Sequence, residues 1–363
     1  MAEYRLHVCD LRTDTSLGYV PVQGVTWDDY IGKTGSLSAT IPVTDSAIAQ
    51  RVMDTVLPGR TMLYLERDGV VAWGGILWTR NRHGSDRGTY TCEIQAACVE
   101  SYLRGHRLLL DDLSASGVDQ LAIARQIVTY AQAASGGSIG IELGTEVSGI
   151  LRDRTYSHYD LPYLGGLLDQ LGGVDGGFEW RVQVYADDAG VRHKVLRLGY
   201  PRLAIGAVPL TLDLPGVITA YAIPDDGTQQ ANAWVSRGAS VGSDLGAEQV
   251  PLMTSLATTP ADIAAGWPRL DGSSDYSSVE DPTILTGHAT ADLARSLRPV
   301  TVPSVSYASA TVGQPLLGSS VRLRLRDLWY PDMLTATYRV VGLKVKVEER
   351  GSTETTDLYL EAT

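Results

Sequence analysis

Phenylalanine is nearly missing: Phe178 stands alone against 18 tyrosines and 7 tryptophans in 363 residues. Most rings available for packing therefore carry a polar end, which suits half-buried sheets and interfaces. Leu, Val and Ala must fill the interior. Cysteine is scarce too. Cys9, Cys92 and Cys98 form no CxxC pair and are odd in number, so neither a disulfide framework nor a zinc site is indicated. They are expected as buried thiols of a protein made in a reducing cytoplasm. Positive charge is in deficit, with 30 Lys and Arg against 42 Asp and Glu and a net charge of -12, which argues against general affinity for nucleic-acid backbone. No apolar run approaches the roughly 18 residues of a spanning helix. The amino terminus, MAEYRLHVCDL, lacks a basic segment followed by an apolar one, so neither Sec export nor membrane embedding is expected.

Catalytic signals are missing as well. No Gly-x-Ser-x-Gly elbow occurs, and the carboxylate pairs Asp111-Asp112, Asp187-Asp188, Asp225-Asp226 and Glu348-Glu349 are adjacent where a hydrolase needs opposed groups. Solvated turns explain them better. His7, His83, His106, His158, His193 and His288 are scattered singly, without His-Glu-x-x-His, so no metal is expected. Gly136-Gly137-Ser138-Ile139-Gly140 lacks the Lys and Ser or Thr of a phosphate loop and reads as a turn. No catalytic residue, cofactor site or metal site is assigned.

What the chain has is alternation. Val321, Leu323 and Leu325 alternate with Arg322, Arg324 and Arg326, and Val345 and Val347 with Lys344 and Lys346; period two predicts strands with one buried face. Turns at Pro331-Asp332 and Gly351-Ser352-Thr353 separate them into a closing antiparallel sheet. Such a sheet is expected to finish a barrel or sandwich, since closure removes exposed edges. Residues 1–98 show the same grammar: strands over 4–11, 19–30, 36–42, 61–66, 70–79 and 89–97, an Asp68-Gly69 hairpin turn, and one helix capped by Thr44-Asp45-Ser46. Residues 99–200 mix helices, at 99–110, 118–134 and 163–171, with strands at 138–143, 178–186 and 194–198. Phe178 and Trp180 flank Glu179, so both rings should face one side and anchor this segment. Strands return at 210–213, 217–223 and 231–237, and a helix follows Asp281-Pro282. Residues 239–280 are rich in Gly, Ser, Pro and Asp and read as an excursion or flap on the second sheet domain. The fold class is mainly β with α+β: a sheet domain at 1–98, an α+β domain at 99–200, and a second sheet domain at 201–363.

The order of pieces resembles the baseplate or tail-tip hub proteins of tailed phages, closest to minor tail proteins of siphoviruses infecting actinobacteria. The likeness rests on ERDGVVAWGGILWTRN (66–81), TCEIQAACVESYLRGHRLL (91–109), YLGGLLDQLGGVDGGFEWRV (163–182), YPRLAIG (200–206), ANAWVSRGA (231–239) and TYRVVGLKVKVEERGSTETTDLYLEA (337–362). Many relatives have Leu-Gly-Asp where this chain has Leu317-Gly318-Ser319, so any role of that Asp is not carried over.

The resemblance implies two tube-protein-like β-barrel domains per chain and a non-enzymatic homotrimer whose six such domains form a ring that continues or caps the tail tube. Its partners would be the distal tail protein, the tape-measure protein and spike or receptor-binding tail proteins. DNA would pass through the channel without specific binding. The chain would be assembled in the host bacterial cytoplasm and carried at the tail tip of the virion. It ends soon after the last strands, so the wall-degrading or fibre-like extensions of longer hubs are not expected. Two other functions compete. Trp73, Trp78, Trp180, Trp234, Trp267 and Trp329, with Tyr330, could form sugar platforms of a carbohydrate- or receptor-binding tail protein, though most lie in strand patterns where packing is the commoner fate. A β-rich glycoside hydrolase is the third.

Overall fold

Strands built on alternation account for most of the architecture. The computed structural model describes residues 2–174, 176–241, 250–277, 279–298, 302–309, 312–347 and 353–362. The chain forms two compact units, residues 1–221 with 304–363, and residues 222–303.

The larger unit opens with β1 (Tyr4–Asp10), β2 (Ser16–Val20), β3 (Gln23–Tyr30), β4 (Ser36–Pro42), helix α1 (Ser46–Thr55), β5 (Thr61–Arg67), β6 (Val70–Gly84) and β7 (Tyr90–Cys98). Asp45 caps α1 by accepting from the Ile48 N–H at 2.8 Å. The β5–β6 turn falls on Asp68 and Gly69, with φ of 51° and 80°, the left-handed pair that a two-residue hairpin turn requires. Next come α2 (Glu100–Gly105), β8 (Leu113–Asp119), α3 (Gln120–Ala133), β9 (Glu142–Leu143), β10 (Leu151–Tyr156), α4 (Leu164–Gly172), β11 (Glu179–Ala186) and β12 (Arg192–Gly199). These layers share one core with the first strands. Leu121, Ala124, Ile127, Val128 and Ala131 on α3 and Leu164, Leu167, Leu168 and Leu171 on α4 pack in the same cluster as Met62, Tyr64 and Ile76. Phe178 and Trp180 are both buried in it, as alternation predicts. At Gly74 a Cβ would lie 2.3 Å from Val184, so β6 and β11 approach at a place only glycine permits.

After β13 (Ile205–Leu214) and β14 (Ile218–Ala222), the smaller unit holds β15 (Ala233–Val241), β16 (Val250–Met253), β17 (Ala257–Thr258), α5 (Pro260–Ala264), β18 (Asp271–Asp275) and α6 (Pro282–Ser296). β15 pairs with β16, β17 and β18, and α6 packs against it. Much of the 239–280 excursion is therefore regular structure, organised around β15 with its own small core of Ala231, Ala233, Leu285, Ala289 and Leu293. Gly272 belongs under the ring of Trp234, where a Cβ would come within 2.1 Å.

The chain then re-enters the large unit as β19 (Ser304–Ala308), β20 (Ser319–Leu325), β21 (Leu334–Lys346) and β22 (Thr355–Ala362). Val321, Leu323, Leu325 and Val345 face inward as their alternation requires. The Gly351-Ser352 turn lies outside the described residues. A single 13-stranded sheet results, ordered β14-β19-β22-β21-β3-β4-β7-β6-β5-β1-β2, with β20 on β21 and β13 on β20. Among the described residues no sheet closes into a barrel, which corrects the expectation of closure. The reason is visible along β21. One edge of it pairs with β22, while the other pairs with β20 over Leu334–Arg339 and is then handed to β3 over Gly342–Lys346. The C-terminal strands are thus extended by N-terminal ones and do not return on themselves.

Candidate functional site

Much of the polar chemistry of the large unit lies in buried anchors and at its turns, while in the smaller unit Asn232, Ser236, Asp262 and Asp292 are buried and hydrogen-bonded. In the first anchor, Arg181 on β11 donates to Asp29 on β3 at 2.5 Å, the Cys98 thiol lies 3.8 Å from Asp29, and Glu100 accepts from the Val182 N–H at 2.6 Å. Burial, and then the neighbouring Asp29, pushes the Glu100 carboxyl up to about 7, and burial raises Asp29 against the pull of Arg181. In the second anchor, Arg339 on β21, 6% exposed, donates to Glu179 at 2.5 and 2.7 Å, to the Leu203 carbonyl at 2.9 Å, and to Glu361 on β22. In the third, Tyr64 and Arg192 both donate to Asp14, and Lys194 lies 3.5 Å away. In the fourth, Glu354 accepts from Arg67, Tyr4 and Ser309 and so ties β1 and β5 to the segment before β22. Burial acts to raise the Glu354 carboxyl, but those hydrogen bonds outweigh it and hold it below its ordinary range. Networks of this kind fix how layers seat on one another, although in the first of them Glu100 Oε2 and Arg181 Nε are buried without a hydrogen-bond partner.

The carboxylate pairs behave as turns. Asp112 accepts from His158, Asp187 accepts from the Ala189 and Val191 N–H groups, and Asp226 accepts from Thr228. Glu348 and Glu349 lie outside the described residues. The histidines stay apart, each with a different neighbour: His7 stacks on Tyr19, His106 on Trp78 and His288 on Tyr276, while His83, His158 and His193 face Glu93, Asp112 and Glu142. Among the described residues, no group of three or more His, Cys, Asp or Glu is gathered as a metal would need. No described helix is long and apolar enough to cross a membrane. The three cysteines are buried free thiols. Gly136-Gly137 closes the turn after α3, the Gly137 N–H donating to Ala134. Gly318, at φ 85°, sits where a Cβ would meet the Leu203 carbonyl at 2.8 Å, and Ser319 caps the turn by donating to the Leu316 carbonyl.

The tryptophans divide. Trp73 and Trp180 are buried, and Trp78 and Trp234 are hydrogen-bonded to Ser101 and Ser274. Trp267 is half-exposed, whereas Trp329 is 84% exposed beside a fully exposed Leu328, at the tip of the β20–β21 turn. That tip is held from below. Asp327 accepts from the N–H groups of Trp329 and Tyr330 at 2.9 and 3.0 Å and from the Tyr221 hydroxyl at 2.5 Å. At the other end of β20 lies a cleft of about 600 Å³, among whose walls are Val147, Tyr200, Leu203, Leu316 and Leu317. Sequence reasoning grouped Trp329 with the strand tryptophans. The signal that separates it is its place between Asp327 and Pro331, after the alternation has stopped.

No family model matches the sequence, and no curated protein does. Among solved structures, the chain is similar to the tail protein from Neisseria meningitidis MC58, at 14% identity and a TM-score of 0.63 over 98% of this chain and 96% of that one. The prophage MuSo2 43 kDa tail protein from Shewanella oneidensis matches at 10% identity and a TM-score of 0.63, over 99% and 98%. Prophage tail protein gp18 from Listeria monocytogenes EGD-e matches at 12% identity and a TM-score of 0.54, over 98% and 94%. At these identities what is common is the path of the chain, and it is common almost from end to end. The fold of this protein is that of phage tail proteins.

Proposed function

We propose that the chain is a non-enzymatic structural hub at the tip of a phage tail, a homotrimer whose copies form a ring that continues or caps the tail tube. In this reading each copy carries two tube-like modules, 1–98 and the strands of 201–363, with 99–200 between them. The observation that carries it is the β3–β21 ladder. Seven strands from the N-terminal part and six from the C-terminal part meet edge to edge in one sheet, the joint that a ring of such groups needs at every contact. Among the described residues β2, β13 and β14 each pair along one edge, which leaves edges for further joints. Likeness to tail proteins over nearly the whole chain supports the same role.

Three copies carry about -36 in net charge, which keeps a DNA passage from binding phosphates where acidic side chains face inward. The distal tail and tape-measure proteins on one side, and spike or receptor-binding proteins on the other, are the neighbours. The hub acts by geometry, as a closed annulus with docking faces, assembled in the host cytoplasm and carried in the virion. Native mass spectrometry of the purified chain tests this: three times the chain mass is expected. A strict monomer that binds on a glycan array would favour the receptor-binding reading instead.

A further inference from the structure

We propose that Ser16 is a nucleophile activated by His7, and that it accepts a small acyl group from an activated ester. The Ser16 hydroxyl donates to His7 Nε2 at 2.7 Å. On the other side of the ring, Nδ1 is buried without a hydrogen-bond partner and lies 3.5 Å from Glu66 Oε1. Only the tautomer with its proton on Nδ1 serves both neighbours, accepting from the serine and turning an N–H to the carboxylate. Serine, imidazole and carboxylate in that order are the groups of acyl transfer, recognised by geometry and role whatever their positions in the chain. The outer link is long, and such links tighten as the ring takes up a proton.

A β-bulge builds the arrangement. β1 and β2 pair His7 with Tyr19 and Val8 with Gly18, but Cys9 with Ser16, so Leu17 is an extra residue. In even register Ser16 would sit on the face opposite His7; the inserted residue turns it to the face that carries His7 and Cys9. Gly18, at φ 104°, supplies the backbone conformation that this bend needs. Tyr19 stacks on the imidazole at 4.4 Å and donates to Glu66, which holds ring and carboxylate together. The two ends of the relay differ in access. His7 is 5% exposed, whereas Ser16 is exposed on a strand that, among the described residues, pairs with β1 alone. Burial, and then the guanidinium of Arg192, lowers His7 below its ordinary value against the pull of Glu66 and Asp14, so at pH 7 the ring is neutral and able to take a proton. Along the free edge of β2 every second backbone N–H points away from β1, the kind of donor that an oxyanion requires.

In this step the Ser16 proton passes to His7 Nε2 as Oγ bonds to the ester carbonyl carbon. The carbon–oxygen bond to the alcohol then breaks, and the alcohol leaves with the proton from His7, so that ester and serine become acyl-serine and alcohol. One acyl group per chain is a modification without turnover, and it asks nothing of the ring. Treating the full chain with p-nitrophenyl acetate tests it, read by intact mass and peptide mapping. An acetyl group on Ser16 is expected at pH 7, formed about 100-fold more slowly in His7→Gln and about 10-fold more slowly in Glu66→Gln. Acetyl groups confined to lysines and the amino terminus would overturn the proposal, as would acetylation of Ser16 that keeps its rate in His7→Gln. Should His7→Gln lose its cooperative melting transition, Glu66→Gln decides, and an unchanged rate at Ser16 there overturns it.

Discussion

At the scale of the residue, the chain concentrates its risk in a few buried charges. Glu100 shares its surroundings with Asp29 and Cys98 and with one guanidinium, that of Arg181. Its ordinary carboxyl value is 4.5 and its folded value about 7, so between them the folded state holds a proton that the unfolded chain has released. Raising the pH across that window therefore costs stability, and the cost is complete above about 7; burial raises Asp29 in the same sense. Thermal unfolding should show a lower midpoint at pH 8 than at pH 5.5. Glu100→Gln, which still accepts from the Val182 N–H, should flatten that slope; an unchanged slope would remove Glu100 as its source. Trp180 is a second critical residue. It is 3% exposed, its indole N–H donates to Asp169 at 2.9 Å, and Arg104 lies over its ring. Trp180→Ala should lower stability by about 3 to 5 kcal/mol in denaturant unfolding. An unaltered midpoint would exclude it from the core.

At the scale of the element, β21 is the strand on which the sheet turns from one half of the chain to the other. Gly342 sits at the handover, where a Cβ would lie 2.4 Å from the Tyr30 ring and 3.3 Å from Tyr359. Gly342→Val should cost about 1 to 3 kcal/mol and speed hydrogen exchange of the β3 and β21 amides ahead of those in β5 and β6. Uniform protection would mean the joint is not local. Arg339 secures the same strand to β11, and Arg339→Met should cost about 1 to 3 kcal/mol in denaturant unfolding, because Glu179 and Glu361 lose their shared guanidinium and keep only the Leu203 N–H and Arg202. Elements with one apolar face were legible in the sequence. Ser36–Pro42 follows its alternation, and α4 stops at the Gly172-Gly173 signal. β8, LSASGVD, was not legible, because it is a largely exposed strand held by pairing with β10 and presents no apolar face. The anchors were hidden for a related reason: Arg339 and Glu179 are 160 residues apart, and Arg181 and Asp29 are 152 apart. No local pattern marks a partner chosen by the fold.

At the scale of the whole molecule, the N- and C-terminal strand groups are continuous where separate barrels were expected, and that continuity is what the proposed ring would use. Sequence patterning supplied the two groups of strands but could not reveal that they pair, because pairing depends on which edge of β21 is left free after β20 ends. The net charge of -12 belongs to this scale as well, since in the proposed ring it would act through the summed field around the passage. Electron cryomicroscopy of particles containing this chain tests the ring most directly. Three copies around the tail axis are expected, with their six strand groups forming one annulus continuous with the tube. Copies lying away from the axis, or a ring built from only one strand group per copy, would contradict it.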